Sequence, residues 1–216
     1  MEPGLAVTLG FVLGIRHAAD ADHVAAVSSI VSGDRSILRS TFLGVLWGFG
    51  HMATLLLAGF LILVLKLEVP AGMAVILEMA VGIALVLLGV SVIREFWVRK
   101  AHVHRHGHGP YTHLHLHSHL RDARGWHGHA LAGSAALTLL FLTSMASVSH
   151  GLLFTLVFGL GSILGMLLLS TAMGLPFSLT ANREGLNAKM RFTAGLLSIG
   201  VGGSIILSIL SISPIF

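Results

Sequence analysis

Six apolar stretches constrain this chain more than any other feature: residues 4–31, 41–65, 71–96, 127–145, 151–175 and 192–212. A helix that crosses a bilayer needs about 20 mostly apolar residues, and each stretch meets or approaches that length. In lipid every backbone N–H and C=O must be satisfied internally, so such stretches are expected as helices. The expected fold class is all-α, a polytopic membrane protein with six transmembrane helices. Composition agrees, because only 10% of the residues are charged, against about 25% in soluble domains. That disfavours a soluble enzyme, a disordered chain and a nucleic-acid partner, despite a pI near 10.4. Cysteine is absent, which removes a disulfide framework, a zinc ribbon and a thiol nucleophile. The first stretch is too long for a signal peptide and has no basic segment before it, so one membrane domain over 1–216 is expected.

The basic residues orient the helices. Arg35 and Arg39 follow the first stretch; Arg94, Arg99, Lys100, Arg105, Arg121 and Arg124 follow the third; Arg183, Lys189 and Arg191 follow the fifth. These are eleven of the 13 Lys and Arg residues, and alternate crossings put all of them on one side. Positive charge marks the cytoplasmic face. Both termini are therefore expected outside the cytoplasm, in the cytoplasmic (inner) membrane of a prokaryote. Trp97 and Trp126 flank the long loop, where interfacial aromatics belong.

The centre of the first stretch carries Arg16, His17, Asp20, Asp22 and His23. Insertion scales put each Arg or Asp at a helix centre at about 2.5–3.5 kcal/mol, so the group needs a function or a partner. An Arg16–Asp20 pair would neutralise two charges and leave Asp22 and both histidines unexplained. On a continuous helix, at about 100° per residue, His17, Asp20 and His23 form one stripe of two imidazoles around a carboxylate. Asp22 points elsewhere on such a helix; it is an acceptor for a ligand imidazole, or a further ligand if the helix is broken there. Nitrogen and oxygen donors without sulfur suit Ni(II), Co(II), Zn(II) or Cu(II). His51 follows Gly48-Phe49-Gly50 near the middle of the second stretch, where the glycines permit close helix approach or local unwinding. The candidate metal ligands are His17, Asp20, Asp22, His23 and His51.

The second half echoes the first. The run from His17 to Val24 aligns with His129 to Ala136, and Gly48-Phe49-Gly50-His51 aligns with Gly159-Leu160-Gly161-Ser162. Three crossings per half force opposite orientations, so residues 1–96 and 127–216 are expected as two inverted three-helix repeats around a histidine-rich cytoplasmic loop, 97–126. The second copy has His129, Ser134 and Ser162 instead, which read as weak ligands or as a hydrogen-bonding wall. Gly159, Gly161 and Gly165 lie inside an apolar span, which predicts helix packing and not a nucleotide loop.

The run His17-Ala18-Ala19-Asp20-Ala21-Asp22-His23, with Arg16 before it, resembles the His-x4-Asp-His signature of the nickel/cobalt transporter family. Gly48-Phe49-Gly50-His51 is similar to that family's second motif. The second half, from His129 through Phe158-Gly159-Leu160-Gly161-Ser162, is similar to its six-helix, urease-accessory branch. The resemblance covers most of the chain outside the central loop. It implies a permease with Ni(II) or Co(II) as transported substrate and no organic cofactor. It also implies a signature helix running from outside to inside, as the charge bias gives for the first helix here. Eight-helix members of the family are importers. This chain lacks the additional helices and carries a long histidine loop that resembles those of nickel- and cobalt-exporting members.

Ten of the 14 histidines fall within 102–129. His102, His104, His106 and His108 alternate along the chain, as do His113, His115, His117 and His119; His127 and His129 follow. In an extended chain alternate residues share a face, so each run offers several imidazoles to one cation. The loop is expected to buffer divalent metal at the cytoplasmic mouth without setting selectivity, and to release it below about pH 6.5 as imidazoles protonate. The alternative is a solvated low-complexity linker. Glu78 is a candidate buried carboxylate, or else a glutamate at the outer interface, and His150 a candidate entry ligand. The function expected is divalent-metal uptake rather than enzyme catalysis, with the ion, the lipid bilayer and cytoplasmic nickel chaperones as partners. Efflux through the same site, or a membrane metallochaperone for urease or hydrogenase maturation, are the alternatives.

Overall fold

A computed structural model describes residues 3–65, 72–100 and 148–212. Six helices and no strand occur among the described residues: α1 (Pro3–His17), α2 (Ala21–Val31), α3 (Ile37–Leu65), α4 (Met73–Lys100), α5 (Val148–Leu179) and α6 (Glu184–Ile212). Four of them, α3 to α6, are long and apolar enough to cross a membrane. Their outward faces carry Leu57, Leu87, Leu168 and Leu207, all exposed, as a lipid-facing surface requires. The expected span 127–145 lies outside the described residues, as does most of the loop 97–126.

The expected continuous helix over 4–31 is two helices. The 15 residues of α1 and 11 of α2 reach only about 22 and 16 Å at 1.5 Å per residue, short of a bilayer core of about 30 Å. The chain breaks at Ala18–Asp20. Ala19 and Asp20 donate to the carbonyls of Arg16 and His17 at 2.9 and 3.0 Å, closing α1 with tight i→i−3 turns, and Val24 donates to Asp20 at 3.0 Å to open α2. Asp20 takes the extended conformation of an N-cap (φ −63, ψ 150) but makes no side-chain capping bond. A residue type that competes with helical hydrogen bonding thus marks the break.

Glycines bring the long helices together. A Cβ on Gly14 would collide with the Phe158 carbonyl, and one on Gly161 with the carbonyl of Phe11, so α1 lies directly on α5. The run Gly159, Gly161, Gly165 is helix packing as expected, Gly165 meeting Ala18 and Ile15 and Gly159 meeting Met52. On α4 and α6, Gly82 faces Gly202 and Gly89 faces Gly195, an antiparallel seam of small residues of the kind that joins membrane helices. The short α2 sits inside this frame, packed on α3, α4, α5 and α6, and it buries Ala25, Val27, Ser29 and Val31.

α6 begins well before the expected 192, so Lys189 and Arg191 belong to a helix and not to a loop. Arg191 is buried and pairs with Glu95 at 2.8 Å, beside the Phe96–Phe192 contact.

Candidate metal centre

The break between α1 and α2 puts His17 and His23 on different helices and turns both toward α3. His17 ends α1, His23 lies in the first turn of α2, and His51 lies in the middle of α3. Their side chains are almost fully buried, at 5%, 3% and 2% exposure. The ring centroids of His17 are 4.4 Å from His23 and 5.1 Å from His51, and His23 and His51 are 5.4 Å apart. One ring nitrogen from each histidine falls within 4.8 Å of the others. His17 Nε2 and His51 Nε2 are 3.0 Å apart. Two nitrogens bound to one cation at about 2.0–2.1 Å and about 90° to each other are separated by about 2.9 Å. The imidazoles therefore already have a spacing that one ion can bridge.

The carboxylates take a different place from the one a continuous helix predicts. Asp20 does not lie between the imidazoles on one stripe, because the break rotates it away. It accepts from His17 Nδ1 at 2.9 Å, and Asp22 accepts from His23 Nδ1 at 3.2 Å. A carboxylate on Nδ1–H fixes the tautomer and leaves Nε2 with its lone pair toward the cluster. Without an ion, His51 then donates from Nε2–H to His17 Nε2. Asp20, Asp22 and His23 also form a second group within reach of one ion, on the more exposed side. All five predicted residues are thus brought together.

Arg16 is exposed, and Asp20 is engaged by His17, so the ion-pair alternative does not account for the cluster. Gly48 makes the close approach expected of it, since a Cβ there would lie 3.0 Å from Ile163 Cα. Gly50 has nothing within 4 Å of a Cβ, and α3 is unbroken. Glu78 is exposed in the second turn of α4, which excludes the buried-carboxylate expectation, and His150 is exposed at the start of α5. His102, His104, His106, His108, His113, His115, His117, His119, His127, His129 and Ser134 lie outside the described residues. Two aromatic walls join the site without a forecast from the sequence: Trp47 stands 5.3 Å from His23 and Phe158 5.3 Å from His17, ring to ring. Trp47 is four residues before His51 on the same helix face, a spacing visible in the sequence.

Long apolar helices around buried imidazoles define the class, a multi-pass helical membrane protein with a candidate cation site in its core. The chain is 39% identical over 183 residues, 82% of its length and 79% of the relative's, to the urease accessory protein UreH of Bacillus sp. (strain TB-90). It belongs to that family, the urease-accessory branch of the nickel/cobalt transporters. No protein-family model and no solved structure matches it.

Proposed function

We propose that this protein is a permease that carries a divalent transition metal, Ni(II) before Co(II), into the cytoplasm, with His17, His23 and His51 as ligands and Asp20 and Asp22 holding two of them. The observation that carries the reading is the convergence of three buried imidazoles at a helix break. Broken helices at the centre of a bundle are where secondary transporters bind their ions. Three neutral nitrogens supply borderline ligands and leave the ion's charge partly uncompensated, which favours release over permanent retention. The cation is substrate here, not cofactor, and the reading is of a carrier and not of an enzyme. The urease-accessory relationship favours nickel.

Helix directions support six crossings in two inverted halves. α1 runs parallel to α5, since Gly10 meets Phe154, Gly14 meets Phe158 and Ala18 meets Gly165. α4 runs antiparallel to α6 along its glycine seam, and α6 returns from α5 through the turn at Thr180–Arg183. α4 therefore ends at the face where α5 also ends, and reaching the start of α5 takes an odd number of crossings. We assign one to the apolar stretch 127–145, which lies outside the described residues, and the first span to α1 with α2. Gly48 packs on Ile163 and Gly159 on Met52, so each of these aligned glycines meets the residue four positions beyond the other, as related halves would.

Radionickel accumulation in whole cells tests the reading. Cells carrying the wild type accumulate nickel from scarce metal, and His17→Ala abolishes this at unchanged membrane abundance. Normal accumulation by His17→Ala overturns the site. The histidine loop favours a second reading, efflux, under which the wild type lowers cell nickel. Deleting residues 101–121 leaves uptake intact at ample metal if the protein is a permease and disables it if the loop is a metallochaperone.

A further inference from the structure

Among the described residues one buried side-chain polar atom has no hydrogen-bond partner, Ser162 Oγ. The other buried serines and threonines donate to backbone carbonyls, as Ser29 does to Ala194, Thr155 to Gly151, Ser170 to Leu167 and Ser198 to Leu85. The usual local acceptor for Ser162, the carbonyl four residues back, belongs to Phe158 and is not used. Ser162 is 0% exposed, and a hydroxyl buried without a partner costs about 1–3 kcal/mol. Such a group calls for a specific account, of which an ion is one.

Its position follows from the contacts of its neighbours. On α5, Phe158 and Gly165 face α1, meeting Gly14 and Ala18, while Gly159 and Met166 face α3, meeting Met52 and Gly48. At about 100° per residue, Ser162 lies about 40–60° from each of these four, so its side chain bisects the gap between α1 and α3. Along the axis it is level with the stretches Gly14–Ala18 and Gly48–Met52, which contain His17 and His51. Those two histidines bridge the same gap through their Nε2 atoms at 3.0 Å. In the alignment of the two halves Ser162 occupies the place of His51.

We propose that Ser162 Oγ is a ligand of the ion held by His17, His23 and His51, the one oxygen that α5 contributes to the site. This rests on the transport-site reading above. A neutral hydroxyl adds a donor without adding charge, giving three nitrogens and one oxygen, a set suited to borderline divalent metals. It is also a weak ligand, easily lost when the ion leaves, whereas a carboxylate in its place would hold the ion.

The absence of cysteine from the chain allows a direct test with purified full-length protein and Co(II) as probe. Wild type binds Co(II) with visible d–d absorption and no thiolate band. Ser162→Cys adds a thiolate-to-cobalt charge-transfer band in the near ultraviolet, which a merely structural role for position 162 does not produce. Visible absorption without that band overturns the ligand assignment and leaves the three-histidine site standing. Failure of the wild type to bind Co(II) overturns the transport site and this proposal with it. Ser162→Ala and Ser162→Thr give an independent measurement if the cysteine variant does not fold. The alanine variant loses Co(II) affinity about tenfold and the threonine variant keeps it, while an alanine variant that binds like the wild type overturns the assignment.

Discussion

Two helix pairs in this molecule solve opposite problems. α4 and α6 are continuous, run antiparallel and close on each other through Gly82, Gly89, Gly195 and Gly202, with no ionisable side chain along that seam. Among the described residues their one buried charge, Arg191, sits at the end of the seam on Glu95. α1 and α2 occupy a similar depth but stop short at His17 and start again at Ala21, and the interruption holds the imidazoles and carboxylates. Continuous helices satisfy their own backbone and need only shape to associate. A break frees the chain to aim side chains from two directions at one point, at the cost of polar groups that must find partners. Here they find one another: each carboxylate takes an imidazole, and two imidazoles share a hydrogen bond. The frame is a packing solution and the break a chemical one, so substitutions in each should fail in different ways.

The largest effect is expected at His51, the one imidazole of the cluster supplied by an unbroken helix. His51→Ala removes the nitrogen that faces His17 Nε2 and leaves two imidazoles, each already oriented by its aspartate. Metal uptake by whole cells should fall to the level of cells without the protein, and purified protein should lose Co(II) d–d absorption. Its thermal unfolding should move little, because α3 keeps its packing on α5. A variant that unfolds without losing metal would place His51 in the frame instead.

Asp20→Asn ranks next. The amide keeps an oxygen acceptor for His17 Nδ1–H but loses the charge that makes the imidazole a better donor to metal. Replacing such a supporting carboxylate typically costs about 10–100-fold in metal affinity. Titration with Co(II) should show that loss while the d–d spectrum keeps its shape, since the ligands are unchanged. A changed spectrum would make Asp20 itself a ligand, as the stripe on a continuous helix predicts.

That contrast marks how far the sequence carries. The residues of the site are legible in it, because charges and imidazoles in a lipid-length apolar run have no other inexpensive place to be. The long helices are legible to within a few residues for the same reason of hydropathy, except the start of α6, where the polar first turns from Glu184 hide the helix. The break is not, since Ala18-Ala19-Asp20 contains neither proline nor glycine and periodicity cannot show that Asp20 prefers an imidazole to a helical turn. Once the helix breaks, the assignment of roles changes: the carboxylates move from between the imidazoles to behind them. Arg191 reads as a loop charge because its burial depends on a partner, Glu95, nearly a hundred residues away. Alignment with His51 points to Ser162, but its missing hydrogen bond exists only in three dimensions.

The smallest effect on metal, and the one that separates frame from site most cleanly, belongs to Gly202. A Cβ there would lie 2.5 Å from the Gly82 carbonyl and 2.9 Å from Leu85 Cβ, so Gly202→Val has to push α4 and α6 apart. Overpacking of this kind costs about 1–3 kcal/mol. Gly200 is the internal control: it lies two residues away on the same helix, with nothing within 4 Å of a Cβ. Gly200→Ala should therefore be neutral or stabilise by up to about 1 kcal/mol, through the helix propensity of alanine. Thermal unfolding in detergent should show the valine variant lowered and the alanine variant unchanged or raised. Both should bind Co(II) with wild-type affinity below their unfolding temperatures. A loss of affinity in Gly202→Val would mean that the α4–α6 seam sets the geometry of the imidazoles through α2, which packs on both helices, and that frame and site are one mechanical unit.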